Sequence, residues 1–236
     1  MLSIPHYELH HQRFSFDLSA WGKLVLRGQD RSAFLQNFIT NDVVQPGPGS
    51  GCEAFLLTAQ ARIVAWLRIA VRAEDILVIV EPGLALKVKN YLERFIIAED
   101  VEITDVSNTH FLWLVQHLPG LNSLAIWQHT TWPEADITLQ RCDMLGQPAG
   151  YVFGPLDKLP SVRHAWGTYP LLSWQEPLWN TMRLEAGTPQ YGNDFDEQNL
   201  PQEVNRTEQA ISFNKGCYVG QETVARIRAY GHVNKQ

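Results

Sequence analysis

The sequence predicts an α+β fold, with antiparallel and mixed sheets and flanking helices. Three observations predict it. Residues 22–106 alternate apolar runs of strand length with amphipathic stretches in the order β-α-β-β-β-α-β, which is not the repeated βαβ of a parallel sheet. The stretch CEAFLLTAQARIVAWLRIAV (Cys52–Val71) reads as two strands turning back near Ala59–Gln60. Composition is that of an ordinary globular chain: 236 residues, 45% hydrophobic and 19% charged. That is enough chain for one large domain or two small ones, and it argues against wholesale disorder.

The elements follow in order. GKLVLRG (Gly22–Gly28) is a short strand. QDRSAFLQNFIT (Gln29–Thr40) is a helix that Asp30 can cap, with Phe34, Leu35, Phe38 and Ile39 as its apolar stripe. NDVVQPGPGSG is a Gly/Pro loop, and the hairpin comes next. DILVIV (Asp75–Val80) is a strand, LALKVKNYLERF (Leu84–Phe95) an amphipathic helix and VEITDVS a further strand. A shorter set follows: HFLWLVQ as a strand, GLNSLAIWQ as a helix, ADITLQRC and GYVFG as strands, and LDKLPSVRHAW as a helix disturbed by Pro160. EPLWNTMRLEAG (Glu176–Gly187) is a helix ended by Gly187. TPQYGNDFDEQNLPQEVN is long and turn-rich, and a final helix begins near Gly220. The expected division is 1–106, 107–175 and 176–236.

Net charge is −6, so bulk charge does not recruit nucleic acid. The N-terminus has no apolar h-region, and no apolar run approaches a membrane span. A cytoplasmic protein without membrane or direct nucleic-acid partners is expected. Cys52, Cys142 and Cys217 are odd in number and far apart, with no CxxC pair. They make a poor disulfide framework and a poor metal site within one chain. His6, His10 and His11 have metal-like spacing but sit in a terminal segment, where surface histidines are the better reading.

Chemistry concentrates in three places. Cys217 lies just before the final helix, where free N–H groups and the positive dipole end favour a thiolate, with Lys215 and Arg226 as possible sources of positive potential. Glu222 can pair with Arg226 at i, i+4, and Gly216 and Gly220 allow close backbone approach. A buried, inert thiol in a glycine turn accounts for the same residues. On the helix WNTMRLEAG, Trp179, Met182 and Ala186 share a face beside Glu185. That face is either core or a place where a ring stacks while a carboxylate takes paired N–H groups. Eight tryptophans, Trp21 and Trp66 among them, suit a flat aromatic ligand or a core of large rings equally. There is no P-loop, no dinucleotide fingerprint and no HExxH.

Together these residues resemble the YgfZ-type folate-binding proteins, relatives of the glycine cleavage T-protein and of mitochondrial iron–sulfur assembly factors. The resemblance rests on Lys215, Gly216, Cys217, Tyr218, Gly220, Gln221, Glu222, Ala225 and Arg226, and spans nearly the whole chain. FLQNFITNDV (Phe34–Val43), RLEAG (Arg183–Gly187), YGNDFDE (Tyr191–Glu197) and GHVN (Gly231–Asn234) support it. It implies a three-part T-protein-like fold around a hole that binds tetrahydrofolate or a one-carbon derivative. It assigns folate contacts to Trp21, Trp179 and Glu185, and makes Cys217 the reactive residue.

Two departures qualify it. The T-protein's catalytic aspartate falls in the stretch RIVAW (Arg62–Trp66), where this chain has Ala65 and Trp66. A tryptophan cannot act as that carboxylate, so no aminomethyltransferase activity is expected. Relatives usually continue past GHVN into a small C-terminal β-domain; this sequence stops at Gln236, as either a naturally short protein or a cut one would. The resemblance therefore implies an accessory factor for assembly or repair of iron–sulfur enzymes, tRNA-modifying ones included, with client or assembly proteins as partners. A folate-dependent one-carbon transferase or demethylase acting on a small molecule is the alternative, and a pure folate-binding module a third reading.

Overall fold

The computed structural model describes residues 14–118, 120–132, 136–166 and 170–231. His6, His10 and His11 lie outside the described residues. In chain order the elements are β1 (Ser15–Asp17), β2 (Gly22–Arg27), α1 (Arg31–Gln36), β3 (Ser50–Leu57), β4 (Ile63–Val71), β5 (Ile76–Val80), α2 (Ala85–Glu93) and β6 (Glu102–Asp105). They continue with β7 (His110–Gln116), β8 (His129–Trp132), β9 (Ile137–Cys142), β10 (Ala149–Pro155), α3 (Leu159–Trp166), β11 (Leu171–Ser173), α4 (Pro177–Glu185), α5 (Thr207–Ala210) and α6 (Gln221–Tyr230).

The chain separates into two compact units, each drawn from two stretches: 1–20 with 109–188, and 21–108 with 189–236. Three consecutive segments were expected. Here residues 1–20 part from 21–108, and the return segment 176–236 is divided between the units after Thr188.

The first unit holds a six-stranded sheet in the order β11-β1-β7-β10-β9-β8. It is antiparallel except that β1 runs parallel to β11. Phe111, Trp113 and Val115 alternate along β7 and pack with Ile137, Val152 and the α3 residue Val162. Pro160 falls in the first turn of α3, where no intrahelical N–H is needed, so it starts the helix and does not disturb it. GLNSLAIWQ forms only a 3-10 turn at Leu121–Ser123.

The second unit holds a five-stranded antiparallel sheet in the order β3-β4-β5-β2-β6. Its central strands β4 and β5 are buried on both faces, and the two faces differ. Leu24, Val78, Ile69 and Cys52 stand in register on one face and pack with Phe34 and Leu35 of α1 and Val88 and Leu92 of α2. Directly paired residues share a face, so the other face carries Lys23, Ile79, Arg68 and Glu53 in one row. Lys23, Arg68 and Glu53 are all buried.

Helix α1 is shorter than the expected Gln29–Thr40, ending at Gln36. Asp30 precedes it without capping it: its carboxylate accepts from the Asp100 N–H at 2.8 Å, tying the helix start to the strand entering the sheet edge.

The charged face is held by a buried ion pair, Arg206 Nη2 to Glu53 Oε1 at 2.5 Å. Removing one partner strands a charge away from water. Arg206→Met should therefore destabilise the fold by about 3–5 kcal/mol, whereas Arg206→Met with Glu53→Gln recovers most of it. Urea unfolding compares the two, and equal losses would contradict the pairing.

Candidate functional site

The Cys217 segment belongs to the second unit and is anchored on both sides of the thiol. Ahead of it, the Lys215 ammonium donates to the main-chain carbonyls of Gln36 at 2.6 Å, Ile39 at 2.7 Å and Asn41 at 2.8 Å. An ammonium has three donors, and here each has an acceptor. Two of those acceptors lie at or just beyond the C-terminal end of α1, where the helix leaves carbonyls unpaired and the dipole favours a cation. This cage also explains why α1 stops early. Burial pulls Lys215 down to about 8, against attraction from Asp42, so the group remains an ammonium at neutral pH.

Behind the thiol, Tyr218 is buried with its ring 5.1 Å from the Lys215 nitrogen, and burial pushes its hydroxyl up to about 12. The Val219 N–H donates to the Asn37 carbonyl at 3.0 Å. Gly220 then caps α6 with a φ of 85°. A Cβ at Gly220 would lie 2.7 Å from the Thr58 carbonyl oxygen, so glycine is required there by both backbone conformation and space. At Gly216 the same construction meets nothing within 4 Å, so Gly220 alone makes the close approach expected of the pair.

Between these anchors Cys217 is exposed, four residues ahead of Gln221, the first helical residue. Cys52 and Cys142 are buried, and neither forms a disulfide among the described residues. Burial pushes Cys52 up to about 12. Glu222 and Arg226 form the expected i, i+4 pair at 2.7 Å on an exposed face, a contact worth little to stability. Gln221 opens α6. Among the described residues no group of three or more His, Cys, Asp or Glu side chains is arranged to hold a metal.

The proposed folate residues divide between the units. Trp21 lies in the second unit, fully buried, with the Arg68 guanidinium 4.9 Å from its ring centroid. Trp179 and Glu185 lie in the first, on α4. Trp179 is buried edge-on to Phe16, centroids 5.3 Å apart, while Glu185 is exposed at the end of the helix. Three residues beyond Glu185, the Thr188 hydroxyl is buried with no hydrogen-bond partner among the described residues. Sequence reasoning missed Thr188, since a threonine after a Glu-Ala-Gly step carries no local signal.

It also missed the layer around Trp66. This ring is fully buried, with the Arg68 guanidinium 3.8 Å from its centroid, Phe55 at 6.4 Å and Phe195 at 6.1 Å. Arg68 pairs with Glu81 at 2.8 Å. The available signal was a charged residue within each of two apolar strands, Glu53 in β3 and Arg68 in β4.

The class of fold is that of aminomethyltransferase T. The glycine cleavage system aminomethyltransferase T from Bartonella henselae superposes with a TM-score of 0.82 over 94% of this chain and 66% of its own, at 19% identity. No family model matches the sequence. Among curated proteins, a chloroplastic protein of Arabidopsis thaliana that carries a transferase name is 27% identical over 93% of this chain. The tRNA-modifying protein YgfZ of Colwellia psychrerythraea is 24% identical over 93%. The chain spans 54% of the Arabidopsis protein's length and 69% of the Colwellia protein's. No helix among the described residues is long and apolar enough to cross a membrane.

Two measurements check this site. Iodoacetamide applied to the native protein at pH 8 should label Cys217 alone, with Cys52 and Cys142 reacting only after unfolding; mass spectrometry reads the position. Lys215→Met leaves three carbonyls without their donor and should cost about 2–4 kcal/mol. Limited proteolysis should then cut the 212–220 segment at least severalfold faster.

Proposed function

We propose that this chain is a tetrahydrofolate-binding accessory protein that supports assembly or repair of iron–sulfur enzymes, with Cys217 as its reactive group. The observation that carries the reading is the exposed thiol on a segment fixed from both sides, by the Lys215 carbonyl cage and by Gly220 against Thr58. A thiol held on an ordered backbone but open to solvent can meet a second molecule without local unfolding. The Lys-Gly-Cys-Tyr-Val-Gly-Gln-Glu signature and the fold shared with aminomethyltransferase T support the same assignment.

The donor set suits a reduced pterin. Within the first unit, α4 carries the Trp179 ring and the Glu185 carboxylate, which can accept N–H groups of a heterocycle, and the Thr188 hydroxyl just beyond it is buried with no hydrogen-bond partner among the described residues; Trp21 is assigned to folate by the family resemblance alone. Tetrahydrofolate would bring one-carbon carrying capacity. The chain's own residues would bind and orient it.

Aminomethyl transfer is not part of the proposal. By the family resemblance Ala65 and Trp66 stand where the T-protein acids would be, and the buried glutamates beside them are paired, Glu53 with Arg206 and Glu81 with Arg68. Both carboxylates are already occupied by guanidinium groups.

Cys217→Ala, expressed in a strain lacking the native protein, should fail to restore iron–sulfur enzyme activity while purifying as a folded protein. Full restoration would remove the role given to the thiol. Trp179→Ala should weaken tetrahydrofolate binding about 10- to 100-fold, the loss of one buried ring contact, as read by calorimetry. Unchanged affinity would place folate elsewhere.

A further inference from the structure

One cleft lies entirely within the second unit and includes none of Trp21, Trp179, Glu185 or Cys217. Its volume is about 580 Å³, within the range of small-molecule sites. Helix α2 contributes one face: Lys87, Asn90, Tyr91 and Arg94, at i, i+3, i+4 and i+7. The buried residues Ile63 and Val64 line its floor, and Arg62 borders it from the hairpin turn. The ring of Tyr91 is fixed because its hydroxyl donates to the Leu57 carbonyl at 2.8 Å.

The charge of this cleft opposes that of the whole chain. Three cations, Arg62, Lys87 and Arg94, face one carboxylate, Glu197, in a protein of net charge −6. Neither Arg62 nor Arg94 forms an ion pair among the described residues. The Arg94 guanidinium lies 4.6 Å from the Tyr91 ring centroid and its Nε donates to the Tyr91 carbonyl at 3.4 Å, while Arg62 donates through Nη1 to the Gln198 carbonyl; the remaining terminal N–H groups of both can meet an oxyanion. Lys87 already holds a carboxylate: Glu197 Oε2 sits 2.7 Å from its nitrogen, with the Tyr191 hydroxyl at 3.4 Å. The Glu197 side chain is 68% exposed. An exposed pair of this kind is weak, so an incoming anion can displace it at little cost.

We propose that this cleft binds a small organic anion: a phosphate or carboxylate head held by Arg62, Lys87 and Arg94, on an apolar body lying over Ile63, Val64 and the Tyr91 ring. Glu197 is the internal competitor that occupies Lys87 when the ligand is absent. The cleft's rim reaches the Cys217 segment, because Thr58, which lines it, is the residue whose carbonyl abuts Gly220.

The test titrates the full chain with adenosine 5′-monophosphate, phenylacetate and inorganic phosphate, following backbone amides of α2 by NMR. Saturable shifts with either organic anion, tighter than with inorganic phosphate, support the site, and the better ligand identifies the preferred head. Glu197→Gln removes the competitor and should tighten binding about three- to tenfold, whereas Arg94→Glu should weaken it about tenfold or more. Both positions are exposed, so both variants should melt as the parent does. No saturable shift with either organic anion up to about 10 mM would overturn the proposal. So would equal binding of inorganic phosphate, or affinities unmoved by both substitutions. None of these readouts depends on folate, so the cleft and the folate reading fail separately.

Discussion

The second unit depends on one ammonium. Lys215 ties the segment around the exposed cysteine to the carbonyls that follow α1, and α1 in turn supplies Phe34 and Leu35 to the apolar core. The arrangement satisfies two demands at once. The lysine loses most of its water and regains three acceptors, and the carbonyls at a helix end acquire a charged donor. The neighbouring residues are placed by the same contact. Tyr218 turns inward beside the lysine and Gly220 seats against the hairpin turn, which leaves Cys217 as the outward residue between them.

The five-stranded sheet adds a second constraint. One face is conventional hydrocarbon. The other combines Trp21, Phe55 and Trp66 with Arg68, Glu81, Glu53 and Arg206. A buried ionic layer is seldom the most stable way to fill a sheet face, and apolar replacements of similar volume often do as well or better. What it does supply is fixed direction. Each guanidinium is held by a carboxylate and by an aromatic ring, so rings and charges keep one geometry.

Much of this was legible in the sequence. The hairpin, the first-half strand order, α2, α4 and the start of α6 at Gly220 follow from periodicity, from Gly187 and Gly220, and from strand-length apolar runs. The pair Glu222–Arg226 follows from i, i+4 spacing. What was not legible depends on distant partners. The acceptors of Lys215 lie 174 to 179 residues away and are main-chain atoms, which have no sequence signature. Asp30 has the right type and place for a cap, but tertiary contact with Asp100 claims its carboxylate. Strands β1 and β11 have three residues each, too few for alternation to register. Arg68 and Glu53 could have been noticed as charges inside apolar strands, yet only register reveals that they stand side by side.

The interleaving of the two units sets an order of events during synthesis. The sheet of the second unit is complete by Asp105, but Arg206 and Lys215 come from the stretch after residue 188. Closing the contact between Gln36 and Lys215 spans 179 residues, a long-range step of the kind that slows folding. Until then Glu53 is a solvated carboxylate on a nascent sheet. Arg68, Glu81 and Lys23 beside it interrupt what would otherwise be an adhesive apolar surface, as charged gatekeepers do in strands that wait for their cover. The same charges that end as a dry layer thus act first as a solubility device, and the chain's last segment converts one role into the other.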